Sequence, residues 1–472
     1  MEMNLSISKE GLFTSERLVK NKKLLYGAIT FLLVSVIGLI IALIVVIQNR
    51  RNSDTDVERF ERETANHKSL EIPECIIHEG SPSPLLDRAN CILDSYPLID
   101  GHNDLSWRYY KYANNKVYSV DLNSDLTKVW NVTHTDIPRL RKGKLGAQFW
   151  SCFVDCTSQY KDAVRKSLNQ LDTIKKFVQR YPDVFQFVTS AQGILDAFKA
   201  GKIGSLVCLE GGHSIDSSLA NLRMFYDLGR RLNHPISSSR ADNWQVDEPS
   251  YNETVVNGIT DFGKKIILEM NRLGMMVDLS HVSKKTMIDV LNITKAPVIC
   301  SHSSAFTICP HNRNVQDDAL QMMRENGGVV MVNFYDIYIN CGPNKTSVTV
   351  LSQVADHIDY IKNVIGVEYV GIGADYDGIS TLPVGLEDVS KYPDLFAELI
   401  KRGWTDDQLR MLAGKNLIRV FTKVEQVSQT TGIYERVRRT GVRVHMDNYL
   451  RRFENLGIWE NIDPLSSKTH KL

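Results

Sequence analysis

The stretch GMMVDLSHVSKKTMIDVLNITKAPVICSH, residues 274–302, decides the fold. It holds two short apolar runs, GMMVDLS (274–280) and PVICS (297–301), each followed at once by a histidine, His281 and His302. Runs of four to eight apolar residues without polar alternation are the pattern of parallel strands buried on both faces. Outward from this stretch the same kind of run recurs at YPLID (96–100), GAQFWS (146–151), SLVCLE (205–210), GGVVMVNF (327–334) and EYVGIGA (368–374). Helix-period segments lie between them. In 161–180 the positions Val164, Leu168, Leu171, Ile174 and Phe177 trace one face, and 190–200 and 262–273 behave alike. Strand and helix alternating over about 300 residues predict an α/β fold, a (β/α)8 TIM barrel. A doubly wound open sheet also fits the alternation, but no G-x-G-x-x-G follows an early strand, so its dinucleotide-binding form has no support.

Polar residues at the ends of these runs carry the chemistry. His102 and Asp104 follow the first, Glu210 closes SLVCLE, His281 and His302 follow their strands, and Asp375 follows YVGIGA. Residues i and i+2 on a strand share a face, so His102 and Asp104 point the same way. In a barrel the C-terminal strand ends converge on one face, where active sites are built. Histidine nitrogen with carboxylate oxygen is zinc chemistry, and a catalytic zinc keeps a position open for water. Two zinc ions sharing a carboxylate and a water lower that water's pKa toward about 7.

The chain has 472 residues and a formal net charge of +1, without the basic stripe of a nucleic-acid binder. Residues 24–47 carry no charge and are long enough to cross a bilayer. Arg17, Lys20, Lys22 and Lys23 before this span outweigh Arg50 and Arg51 after it, which places the N-terminus in the cytoplasm. The expected organisation is a tail (1–23), a signal-anchor span (24–47), a juxtamembrane linker (48–90), the barrel (91–425) and a C-terminal extension (426–472), hence a single-pass type II protein with its barrel extracellular or lumenal. All eight cysteines and four glycosylation sequons, at Asn131, Asn252, Asn292 and Asn344, lie beyond the span.

The motifs IDGHNDL, GAQFWS, EGGHSIDSSL, ADNW, DLSHVS, SHSSA, NRNV, MVNFY and GADYDG, taken jointly over residues 90–425, resemble the membrane (renal-type) dipeptidases, zinc metallopeptidases of family M19 in the amidohydrolase superfamily. The resemblance implies two zinc ions per chain: His102 and Asp104 on one, His281 and His302 on the other, and Glu210 bridging. It implies Arg313 and Tyr338 as holders of the substrate carboxylate, Asp375 as acid-base group beside a metal-bridged hydroxide, and His234 as an oxyanion-contacting substrate residue. It also implies a Cys309–Cys341 disulfide, and dipeptides or cysteinyl-glycine conjugates such as leukotriene D4 as substrates. Cys75 and Cys91 are extra cysteines that can pair. His213 reads as a supporting or packing residue, and His311 and His357 as surface or loop residues. A homodimer would lack a C-terminal intersubunit disulfide, since no cysteine follows Cys341.

One segment departs from the family pattern. RRLNHPISSSRADNW, residues 230–244, is about three residues short ahead of His234, and Ile236 stands where the family has the cysteine that partners the match of Cys156. A shortened fourth barrel strand and a displaced His234 are expected. A competing reading follows: a catalytically weakened, zinc-binding cell-surface adhesion protein.

Overall fold

The computed structural model describes Cys75 and residues 81–233, 258–341 and 348–440. The candidate span 24–47, His234, Asn252 and Asn344 lie outside the described residues. Within them no helix is long and apolar enough to cross a membrane.

The strands are β1 (Leu98–Asn103), β2 (Leu145–Phe153), β3 (Phe185–Phe187), β4 (Ile203–Glu210), β5 (Arg230–Asn233), β6 (Met276–Val277), β7 (Ile299–Cys300), β8 (Val329–Val332) and β9 (Val370–Ile372). They form one parallel sheet in the order β6-β5-β4-β2-β1-β9-β8-β7, with β3 beside β4 and off this path. The two ends of the order meet: Asp278 bridges Ile299 in parallel, and the Leu279 N–H donates to the Ile299 carbonyl at 2.7 Å. The sheet therefore curls into a barrel-like ring.

Both faces of the strands are covered, as the unbroken apolar runs demand. All eight residues of β4 are buried. Neighbouring strand residues fall into two separate buried clusters, with Leu98, Val207 and Val330 in one and Ile99, Leu206 and Val329 in the other. Two glycines let the strand ends come together: a Cβ at Gly373 would lie 1.7 Å from the Ser301 carbonyl oxygen, and one at Gly101 would lie 2.5 Å from the same atom. Asp100 ties two of these ends. Its Oδ1 accepts from the His102 N–H (3.1 Å) and from the Ala374 N–H (2.9 Å), which sets the end of β1 beside the end of β9.

Three expectations from the sequence need correction. Strands β6 and β7 have two residues each where longer runs were expected. Just past them the N–H groups of Ser280 and Ser301 donate to the Asp278 carboxylate, at 3.0 and 2.9 Å. The buried stripe of the helix Ala163–Arg180 includes Leu171, Ile174 and Phe177, but Leu168 is 39% exposed and Val164 only half-buried. Ser167 and Gln170 take the inner places instead, and Gln170 Oε1 accepts from Ser106 Oγ at 3.1 Å. The stretch Arg230–Asn233, where a shortened fourth strand is expected, forms a four-residue fourth strand of the ring, paired to β4 and β6.

His357 is the third correction. It is fully buried on the helix Leu351–Ile365, one turn from Val354 and on its inner face. Nδ1 accepts the Ala305 N–H and Nε2 faces the Ile339 carbonyl, both at 3.0 Å. Burial pushes its pKa from 6.5 down to about 4, against the pull of that carbonyl. A folded-state pKa below the unfolded value gives stability that is present above about pH 6.5 and lost as pH falls toward 4. The loss reaches about 3 kcal/mol. Urea unfolding of zinc-free protein at pH 7 and pH 4.5 checks this: the wild type loses more stability than His357→Gln. Equal losses would remove His357 from the acid sensitivity.

Candidate metal centre

The six strand-end residues of the sequence reading converge. His102 Nε2 lies 3.2 Å from Asp104 Oδ2 and 3.1 Å from Glu210 Oε2. Glu210 Oε1 lies 3.1 Å from His281 Nε2, which is 2.8 Å from His302 Nε2. The rings of His102 and His302 stack with centroids 3.8 Å apart. His102, Asp104, Glu210, His302 and Asp375 are all buried, and His281 is half-buried. Backbone conformation aims two of these groups. His281 (φ +66°) and Asp375 (φ +67°) sit in the left-handed region, which non-glycine residues seldom adopt and which concentrates at functional sites. His281 lies in a tight turn, with Ser283 capping the helix Lys284–Ile293 that follows.

The charges in this cluster are unbalanced. Burial opposes a charged imidazole at His102, yet Glu210 and then Asp104 outweigh it and hold its pKa well above the ordinary value. Burial likewise opposes an ionised Glu210, but His102 holds its pKa well below the usual range. Burial, then His102 and Arg313, keep the His302 pKa well below its ordinary value. Burial pushes Asp375 up to about 7. A metal ion fits this donor set. His102, Glu210 and His302 form one group whose ligand atoms lie within 4.8 Å of one another, and His102, Asp104 and Asp375 form a second. Asp104 Oδ1 is buried without a hydrogen bond among the described residues.

A cavity of about 150 Å³ opens onto the cluster. Arg313 lines it and is held by three contacts: Nη2 to His281 Nε2 (3.2 Å), Nη2 to the His302 carbonyl (3.3 Å) and Nη1 to Ser303 Oγ (3.4 Å). Its Nε is buried without a hydrogen bond among the described residues, and its guanidinium lies 5.2 Å from the Tyr338 ring centroid. Trp107, Phe153, Tyr335 and Ile379 complete the wall.

Sequence reasoning missed several contributors. Ser151, the last residue of GAQFWS, donates to Glu210 Oε2 at 2.7 Å. Asn333, in MVNFY, donates to Asp375 Oδ2 at 2.9 Å. Asn333 directly follows β8 and Ser151 lies two residues inside the end of β2, so closeness to a C-terminal strand end is the signal that could have found them. His213 packs as read, 2.7 Å from the Val154 carbonyl. His311 is half-buried against Tyr338, with ring centroids 4.6 Å apart. Cys309–Cys341 and Cys75–Cys91 are disulfides, and Asn131 and Asn292 are exposed.

A parallel α/β ring with imidazoles and carboxylates gathered at its strand ends defines a metallohydrolase class. The chain belongs to the membrane dipeptidase family, peptidase family M19, whose family model matches residues 86–435. It is 42% identical to dipeptidase 3 of Rattus norvegicus over 348 residues, covering 73% of this chain and 68% of that one. It is 40% identical to dipeptidase aclJ of Aspergillus oryzae over 373 residues, covering 76% and 84%. The crystal structure of the M19 metallopeptidase dipeptidase AC superposes with a TM-score of 0.62 at 26% identity, covering 70% of this chain and 98% of that one.

Proposed function

We propose that this chain is a zinc-dependent dipeptidase with a (β/α)8 barrel, acting at the extracytoplasmic face of a membrane. The observation that carries the reading is the clustering of His102, Asp104, Glu210, His281, His302 and Asp375, with a cavity walled by Arg313 and Tyr338 reaching Asp104, Glu210, His281 and Asp375. Two zinc ions would be held here, one by His102 and Asp104 and the other by His281 and His302, with the Glu210 carboxylate available to both. Bound zinc supplies Lewis acidity toward a carbonyl and lowers the pKa of a bound water.

The chain's own residues do the rest. Arg313 offers a guanidinium with an unused Nε–H to the substrate's C-terminal carboxylate, a charge-assisted contact suited to its planar fork. Tyr338, beside that guanidinium, completes the anchor. Asp375, steadied by Asn333, takes at Oδ1 the proton that a water gives up as its oxygen bonds the peptide carbonyl carbon, and hands that proton to the amine as the C–N bond breaks. His234 remains assigned to the substrate oxyanion. Cysteinyl-glycine conjugates carry the same free carboxylate and fit the same anchors.

Arg313→Met is expected to raise KM for a dipeptide on the order of 30-fold, with a smaller change in kcat, the size of a lost contact to a charged group. Wild type should discriminate strongly against the dipeptide amide and the variant should not. Equal discrimination by both would detach Arg313 from the carboxylate.

The exposed sequons at Asn131 and Asn292 and the two disulfides support a barrel in an oxidising compartment. The type II topology, with residues 24–47 spanning, and a homodimer complete the reading. Protease protection in sealed vesicles tests the topology: the barrel should be shielded in vesicles whose cytoplasmic face is outward.

The function itself is tested with the full chain in detergent and a simple dipeptide, with a chelator control. Turnover that the chelator abolishes supports it. No turnover in zinc-loaded protein would favour the weakened binding protein instead.

A further inference from the structure

We infer that Asp278 and Ser301 form a relay that fixes the tautomer of His302, keeping its Nε2 lone pair turned toward the metal centre. The inference rests on the reading of His302 as a metal ligand. It deepens that reading by naming what makes this histidine a ligand.

Asp278 Oδ1 accepts from two backbone N–H groups, Ser280 at 3.0 Å and Ser301 at 2.9 Å. The Ser301 hydroxyl donates to Asp278 Oδ2 at 2.5 Å. The same hydroxyl oxygen lies 2.8 Å from His302 Nδ1. A hydroxyl has one proton and two lone pairs. With that proton given to the carboxylate, Ser301 can only accept from His302, so Nδ1 carries the ring proton. Nε2, which faces the His281 nitrogen at 2.8 Å and the Glu210–His102 group, is then the lone-pair atom. Which ring nitrogen serves as a ligand is set by the hydrogen bond that the other one makes.

The relay is built in. Asp278, Ser280, Ser301 and His302 are fully buried. The close approach of Gly101 and Gly373 to the Ser301 carbonyl fixes where Ser301 stands. His302 is pinned a second time, its N–H donating to Ser280 Oγ at 2.9 Å. Asp278 and Ser301 do not line the cavity; they are positioning residues.

Asp278→Asn separates this role from simple packing. The two backbone N–H groups hold the amide oxygen at the Oδ1 place, so the NH2 takes the Oδ2 place and donates to Ser301. Ser301 must then give its proton to His302 Nδ1, which moves the ring proton to Nε2. No hydrogen bond of the described set is lost, yet the ligand lone pair is gone.

The experiment titrates zinc alone against a chromophoric chelator, using the full chain in detergent, and measures thermal unfolding of the zinc-free protein. Asp278→Asn and Ser301→Ala are each expected to weaken zinc affinity at one site by about 10–100-fold. The double variant should be no weaker than Ser301→Ala, because Asp278 acts through that hydroxyl. The zinc-free unfolding midpoint of Asp278→Asn should stay near the wild-type value. Unchanged zinc affinity in Asp278→Asn, or additive losses in the double variant, would overturn the relay. His302→Ala is the separate arm: if it keeps both zinc ions at wild-type affinity, His302 is no ligand and the underlying assignment falls with the relay.

Discussion

Asp375→Asn is expected to lower kcat for dipeptide hydrolysis on the order of 10²–10⁴-fold, the range of a lost acid-base group. Zinc content should stay close to that of the wild type. The substitution is gentle on the fold. Asparagine tolerates the left-handed backbone that Asp375 adopts at φ +67°. Its amide oxygen can still accept from Asn333 Nδ2, the contact now made by Asp375 Oδ2 at 2.9 Å. What it cannot do is take up a proton on the atom that faces the cavity. Burial already disfavours the ionised form here, and a bound dication would pull the pKa back down. Steady-state kinetics beside metal analysis give the result. Turnover like that of the wild type would remove Asp375 from the proton-transfer role, and loss of zinc would make it a ligand instead.

Glu210→Gln carries the other large effect. Among the described residues, Glu210 is the one whose two oxygens reach two different histidines, His102 at 3.1 Å and His281 at 3.1 Å. An amide presents an NH2 to one of them and so meets a ligand nitrogen with a donor. It also removes the charge that faces both imidazoles. Zinc content should fall from about two per chain toward one or none, and turnover should fall on the order of 10²-fold or more, as expected when a two-metal centre loses its shared ligand. Ser151, which donates to Glu210 Oε2, should still find the glutamine oxygen if that end stays in place. A Glu210→Gln protein that keeps both zinc ions and its turnover would deny Glu210 the bridging position.

Much of the site was legible because its residues stand at the ends of apolar runs. His102, Glu210, His281, His302 and Asp375 could be placed on one face before any contact was known, since parallel strands in a ring share a direction. What escaped depends on pairs that the sequence does not announce. Ser151 and Asn333 are ordinary polar residues until Glu210 and Asp375 are set beside them. His357 looked like a surface histidine in LSQVADHIDYI because a polar ring on an inner helix face needs two particular backbone partners, Ala305 and Ile339, that are distant in sequence. The short β6 and β7 reflect the Asp278 carboxylate receiving N–H groups just beyond the strands, a side-chain choice that apolar periodicity cannot register. The three-residue β3 is too brief to stand out as a run.

The central claim is that two zinc ions, held by the strand ends, make this chain a dipeptidase. It is tested most directly by titrating zinc into chelator-stripped full-length protein while following hydrolysis of a simple dipeptide. No turnover is expected without metal, and activity should rise with added zinc and level off at about two equivalents per chain. Turnover that survives complete removal of metal, or its absence after two equivalents are bound, would contradict it.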